Sequence, residues 1–137
     1  MSKTAEETQE LLRSIPGIGI TASAMLVGYI GTMERFENTD QLAAYIGIDP
    51  RVYQSGTSVH GKGYISKRGN KPLRSILFSA AFVAQRHDPE LREYYLKKRS
   101  EGKHHFVIIC AIERRIVNRI FAVWKRGTPY EKRTLKS

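Results

Sequence analysis

Three serines stand in a stretch that carries cations and no acids. Ser55, Ser58 and Ser66 precede the helical part of residues 51–87, where Arg51, Lys62, Lys67, Arg68, Lys71, Arg74 and Arg86 meet no opposing Asp or Glu. A serine hydroxyl can attack a phosphodiester, and nearby ammonium and guanidinium groups stabilise the added charge of the pentacovalent transition state. By residue type alone any of the three could serve. A Ser-Gly pair such as Ser55-Gly56 also forms a plain turn. Lys67, Lys71 and Arg74 follow helical spacing if a helix reaches back to residue 67. They would then share one phosphate-binding face, with Arg68 beside it.

A second element uses backbone chemistry. In Leu12-Arg-Ser-Ile15-Pro16-Gly17-Ile18-Gly19-Ile20-Thr-Ala22, two apolar segments flank a Pro-Gly-Ile-Gly turn. Glycines let the chain turn tightly and bring N–H groups close to a ligand. The helix that follows offers unpaired amides and the positive end of its dipole to an anion. Ile18 is expected to plug into the core and fix the turn. Gly17, Ile18 and Gly19 are therefore candidate contacts to a nucleic-acid backbone, held without base identity. An ordinary helix–helix turn is the plain alternative.

The charge balance agrees with a polyanionic partner. The net charge is +10 and the isoelectric point about 9.9. Residues 1–50 hold three basic and seven acidic residues, whereas residues 88–137 hold thirteen basic and six acidic. Such asymmetry is an electrostatic footprint for nucleic acid. Cys110 is the single cysteine, which excludes an internal disulfide and a cysteine-only metal cluster. His60, His87, His104 and His105 stand in no metal-ligand spacing, so no metal site is expected. The uncharged run 14–33 is broken by Pro16, Gly17, Gly19, Gly28 and Gly31, and no membrane partner is expected. The polar, acidic first fourteen residues do not read as a signal peptide.

Several helices must position these groups. Thr4-Ala-Glu-Glu7 has capping-box form and opens a first helix that Pro16-Gly17 breaks. A second helix runs from about Ile20 to Ile30. Asn38-Thr-Asp-Gln41 caps a short third, which Gly47 stops. Residues 47–69 read as a long basic loop, in which Arg51–Tyr53 and Gly63–Ile65 could pair as a short β-hairpin. Three further helices follow. One runs from Asn70 to about Arg86, with Leu73, Ile76, Leu77, Ala80, Val83 and Ala84 on its apolar face. A second starts at Asp88-Pro89-Glu90. The last spans about Lys103 to Arg126, with Phe106, Ile109, Cys110, Ile116, Val117, Ile120, Phe121 and Trp124 as core stripe and Arg114, Arg115, Asn118 and Arg119 off it. The chain from 128 to 137 reads as a loose tail. The fold class expected is mainly α and one domain: a helix–hairpin–helix at about 4–31, a basic loop at about 47–69 and a helical remainder at 70–127.

The order of these motifs resembles the C-terminal transposase domain of the insertion sequence 110/116/902 family. The resemblance covers roughly residues 9–127. It rests on Ile15-Pro-Gly-Ile-Gly19, Phe36 to Leu42-Ala-Ala-Tyr-Ile-Gly-Ile-Asp-Pro50, Tyr53-Gln-Ser55-Gly56, Ile65-Ser-Lys-Arg-Gly-Asn70 and Leu73-Arg74. It implies DNA as partner and Ser55 as the nucleophile of strand transfer, with Ser66 structural and Ser58 a decoy. Arg51, Lys62, Lys67, Arg68, Lys71 and Arg74 would position the strand. It implies a prokaryotic, cytoplasmic, nucleoid-associated protein. For the full-length proteins it also implies a guide RNA, a homo-oligomer, and an N-terminal RuvC-like domain whose carboxylates bind divalent metal. That domain has no counterpart in these residues, so the chain reads as an excised domain or truncated product, without cofactor and inactive in transposition alone. A non-catalytic helix–hairpin–helix DNA-binding module, or a basic RNA- or ribosome-associated protein, would share the same charge pattern.

Overall fold

Six α-helices and a 3-10 turn make up residues 3–48 and 69–131, which the computed structural model describes. In chain order they are α1 (Ala5–Arg13), α2 (Ile20–Ile30), α3 (Thr39–Ile46), α4 (Lys71–His87), α5 (Pro89–Ser100) and α6 (His105–Arg126). The 3-10 turn, Met33–Arg35, joins α2 to α3. Among the described residues there is no strand. The hairpin proposed for 51–53 and 63–65 lies outside them.

Local chemistry sets the helix ends. The Thr4 hydroxyl accepts from the Glu7 amide at 3.1 Å while the Thr4 amide donates to the Glu7 carboxylate at 2.9 Å, a complete capping box. The side-chain oxygens of Asn38 and Asn70 accept from Gln41 and Leu73 amides, each at 2.9 Å. Asp88 caps α5 through the amides of Glu90 and Leu91, with Pro89 at the first helical position. The last helix starts two residues later than its hydrophobic pattern suggests, because the His104 ring accepts from the Phe106 amide and makes His104 the cap.

The longest helix, α6, is the axle. It packs against α1, α3, α4 and α5. Its buried side runs through Ile108, Ile109, Ile112, Glu113, Ile116, Val117, Ile120 and Val123. This corrects the expected stripe. Phe106 is half exposed at the rim, where its ring meets Phe78 at 5.5 Å, and Val83 on α4 also faces outward. Arg119, expected to lie off the stripe, is nearly buried: it binds Asp88 and also Glu90 at 2.7 Å. The expected loose tail is held at its start. The Tyr130 amide donates to the Ser14 hydroxyl at 2.8 Å, and its ring lies 4.6 Å from the Arg119 guanidinium. Residues 132–137 lie outside the described residues.

The packing of α2 on α4 fixes their relative direction. Gly17, just before α2, touches Ala80 and Ala84 far along α4. Tyr29, near the end of α2, shares a hollow with Lys71 and Pro72 at the start of α4. The two helices are therefore antiparallel. A β-carbon on Gly17 would sit 2.5 Å from the Ala80 carbonyl oxygen, and its φ of +94° is left-handed. One on Gly19 would meet open space. Gly17→Ala should cost at least about 2 kcal/mol, combining left-handed strain with overpacking, whereas Gly19→Ala, which exchanges a glycine N-cap for alanine in open space, should cost about 1 kcal/mol or less. Urea denaturation of the two variants checks this, and equal losses would contradict it.

Candidate nucleic-acid interface

The hairpin holds its shape through its apolar residues. Ile15 and Ile18 are buried, and the Ile18 amide donates to the Ile15 carbonyl at 3.0 Å. Its two glycines have different reasons to be glycine. Gly17 is required by packing on α4, as described above. Gly19 is exposed, extended in backbone and free of close neighbours. It is also the N-cap of α2, without a side-chain hydrogen bond to the first turn, and that turn contains no acid. Ile20 beside it is exposed. An uncapped helix start with an open approach suits an anion.

The second half of the interface lies where the chain leaves α3 and enters α4. Gly47 ends α3 in left-handed conformation. A β-carbon on Gly69 would sit 2.6 Å from the Gly47 α-carbon, and the Asn70 amide donates to the Ile46 carbonyl at 3.2 Å. Described residues on either side of 49–68 are thus in direct contact. Ser55, Ser58, Ser66, Arg51, Lys62, Lys67 and Arg68 belong to that span and lie outside the described residues.

Beside this closure α4 begins with Lys71, exposed, and Arg74, half-buried, and has no acid in its first turn. The helices α1, α3 and α5 instead place Glu6 and Glu7, Asp40 and Glu90 there. Cations at the positive end of a dipole are unfavourable by roughly 0.3–1 kcal/mol each, a local cost that an anion would reverse. The expected alignment of Lys67 with Lys71 and Arg74 along one helix is corrected. Gly69 at φ +84° and the Asn70 cap start the helix at Lys71.

The structure does not bring the hairpin and these cations together. They sit at opposite ends of the antiparallel pair α2 and α4. About ten helical residues at 1.5 Å each separate them by roughly 15 Å. Nearer the cations is a shallow hollow lined by Tyr29, Tyr45, Asn70 and Lys71. The Tyr45 hydroxyl donates to the Tyr29 carbonyl at 3.1 Å. Arg35 lies over the Tyr45 ring at 4.8 Å and donates to the Ile30 carbonyl at 3.0 Å, so its charge is spent closing the C-terminus of α2.

Sequence reasoning missed Glu113. It is a buried acid on α6, and its Oε2 has no hydrogen-bond partner among the described residues. Burial raises its carboxyl to about 8, against a smaller opposing pull from Arg74. The signal was available: Glu113 stands four residues after Ile109 and three before Ile116, on the apolar register. Burial, with Glu113 adding to it, likewise pushes the Cys110 thiol up to about 12, which makes it unreactive.

No group of three or more His, Cys, Asp or Glu among the described residues could hold a metal ion. The lone Glu113 is no substitute for a cluster of carboxylates, so the divalent metal implied by the resemblance has no fit among the described residues. Among the described residues no helix is long and apolar enough to cross a membrane.

The profile of a family described as "Transposase IS116/IS110/IS902 family" matches residues 9–96. The chain is 34% identical over 129 residues to the insertion element IS110 uncharacterized 43.6 kDa protein of Streptomyces coelicolor, covering 94% of this chain and 32% of that protein. It is 36% identical over 124 residues to the pilin gene-inverting protein of Moraxella lacunata, covering 90% and 38%. It is 34% identical over 115 residues to the transposase for insertion sequence element IS1111A of Coxiella burnetii, covering 84% and 29%. The chain thus spans about a third of the length of these relatives.

Glu113 gives the interface a pH signature in stability. Its folded-state value lies above that of an exposed carboxyl. The unfolded chain therefore releases the proton first, and stability falls as pH rises from about 4.5 to about 8. The loss is of order 3 kcal/mol by pH 7. Glu113→Gln should gain on the wild type progressively over that window, measured by urea denaturation at its two ends. A constant difference would show that the carboxyl is not buried neutral.

Proposed function

Because the chain belongs to the transposase IS116/IS110/IS902 family, we propose that it is the DNA-gripping and strand-transfer segment of a recombinase, with Ser55 as its nucleophile. The observation that carries this reading is the acid-free start of α4, with Lys71 and Arg74 beside the contact of Gly47 with Gly69, between which Ser55 lies in sequence. A cationic helix start with no acid in its first turn gains from a phosphate. The name of the Moraxella relative, a pilin gene-inverting protein, supports DNA rearrangement as the reaction class.

In the proposed step the Ser55 hydroxyl oxygen attacks a backbone phosphorus. A serine–phosphorus bond forms and one phosphorus–sugar oxygen bond breaks. The serine gives up its proton and the departing sugar oxygen takes one. Lys71 and Arg74, with Arg51, Lys62, Lys67 and Arg68 of the same basic stretch, oppose the growing negative charge. The amides after Gly19 hold a neighbouring part of the sugar-phosphate chain, with Ile18 anchoring the turn. The energy of a phosphoserine link is kept for rejoining, which suits strand exchange. A guide RNA, a homo-oligomeric assembly and a metal-bearing domain belong, on this reading, to proteins of the relatives' full length, about a third of which this chain spans.

Ser55→Ala in a full-length protein carrying this segment should abolish the covalent adduct with nicked suicide DNA while leaving duplex binding within about twofold. Persistence of the adduct would favour a non-catalytic DNA-binding module instead. Lys71→Ala should weaken binding across unrelated sequences and lower the logarithmic salt slope by about 0.9. An unchanged slope would remove Lys71 from the phosphate contacts. Competition by structured RNA over duplex DNA would favour an RNA partner.

A further inference from the structure

The described tyrosines are nearly all in use. Tyr45 donates its hydroxyl to the Tyr29 carbonyl and carries Arg35 over its ring. The Arg115 guanidinium lies 4.1 Å from the Tyr94 ring. The Tyr95 hydroxyl shares a hydrogen bond with His105 Nδ1 at 2.6 Å, and Tyr130 packs on Arg119. Tyr29 is the exception. It is 44% exposed, and neither its ring nor its hydroxyl has a ring, cation or hydrogen-bond partner among the described residues. An exposed tyrosine is ordinary in itself. The place of this one is not.

Tyr29 lines the hollow beside the start of α4, whose volume of about 530 Å³ suits a single small group. Ala44, Tyr45 and Pro72 add to its apolar lining, Asn70 and Lys71 form its polar part, and none of the described residues lining it is acidic. Lys71 is exposed and forms no ion pair or hydrogen bond through its side chain with another described residue. The backbone under Tyr29 is held firmly. Its carbonyl accepts from the Tyr45 hydroxyl at 3.1 Å and from Arg35 at 3.4 Å, which ties the end of α2 to α3 and to the 3-10 turn. A flat, bare ring on a fixed base and a lone cation on the same hollow match the two parts of one nucleotide, the base and its phosphate. An apolar peptide would fill the hollow without using Lys71.

We propose that Tyr29 is a base-stacking residue, and that the hollow receives a nucleobase that has left the duplex stack next to the phosphate held by Lys71. The inference rests on the reading of the α4 start as a phosphate-binding turn, and of that turn's two cations it needs Lys71 alone. Every base has a π-face, so the contact is tolerant of sequence. Leaving the stack costs least for a base that is already unpaired. A strand that changes partners must give up its pairing near the exchanged phosphate, and a platform there holds the freed base still.

The test is fluorescence anisotropy of the 137-residue chain on three short duplexes of one sequence: fully paired, with one bulged nucleotide, and with a bulged abasic site in its place. The wild type should bind the bulged base at least about fivefold more tightly than the abasic bulge. Tyr29→Ala should erase that preference and Tyr29→Phe should keep it. Proton NMR of the wild type needs no variant. The Tyr29 ring resonances should move upfield on the bulged-base duplex and stay in place on the abasic one. Equal affinity of the wild type for the two bulges, a preference that survives in Tyr29→Ala, or an unmoved ring would each overturn base stacking while leaving the phosphate-binding reading intact. Failure of the wild type to bind any of the three duplexes would overturn that reading and the stacking with it.

Discussion

Where α3 hands over to α4, two stretches of main chain meet with no room for a β-carbon between them. Gly69 rests against the α-carbon of Gly47, and the Asn70 amide reaches back to the Ile46 carbonyl. This contact fixes three things together. It brings Gly47 and Gly69, which flank residues 49–68 in sequence, into contact. It ends the left-handed turn at Gly69 and lets Asn70 cap α4, so α4 begins at Lys71 and no earlier. It also brings the first turn of α4 beside the end of α3, near the Tyr29–Tyr45 contact that ties α3 to α2. The charge of the α4 start is thus set on a rigid base of helix ends.

Two buried acids show how the same interior is used for opposite purposes. Asp88 is satisfied several times over: it caps α5, and Arg119 clamps it from α6. Breaking such an arrangement leaves an uncompensated charge in low dielectric, so it holds α5 firmly on α6. Glu113 has burial without that compensation, and its environment answers by favouring the neutral form. One acid supports the scaffold and the other makes it costlier. The second kind is the one that calls for a functional reason, because packing alone would have chosen a hydrocarbon.

What was legible in the sequence was whatever is decided within three or four residues. Thr4, Asn38 and Asp88 each cap the helix that their side chains announce, Gly47 ends α3 where it stands, and α1 stops just ahead of Pro16. The facing of α6 was less legible. Phe106 is apolar and in helical register with Ile109, yet it sits at the first turn, where only the rim of α4 reaches it through Phe78 and half of it stays exposed. The position of the tail was not legible at all. The bond from Tyr130 to Ser14 joins residues 116 apart and leaves no local mark. The same limit applied to the interface. The hairpin and the cationic turn are each recognisable, but their separation depends on α2 and α4 running antiparallel, which is a property of packing.

That separation divides the labour of the proposed interface. Main-chain amides after Gly19 attract an anion without displacing a counterion, whereas Lys71 and Arg74 bring full charges and the salt dependence that accompanies them. A span of roughly 15 Å corresponds to about four base steps along duplex DNA at 3.4 Å per step. The phosphate held at the hairpin is then a different one from the phosphate met at α4. Stabilising a pentacovalent phosphorus requires charge beside the reacting atom, and only the α4 end supplies it. The hairpin, being uncharged and anchored by Ile15 and Ile18 in the core, is suited to hold the backbone still at a distance while bonds change at the other end. On this division, a defect at the hairpin would loosen the grip on the duplex as a whole, and a defect at α4 would act on the reacting phosphate.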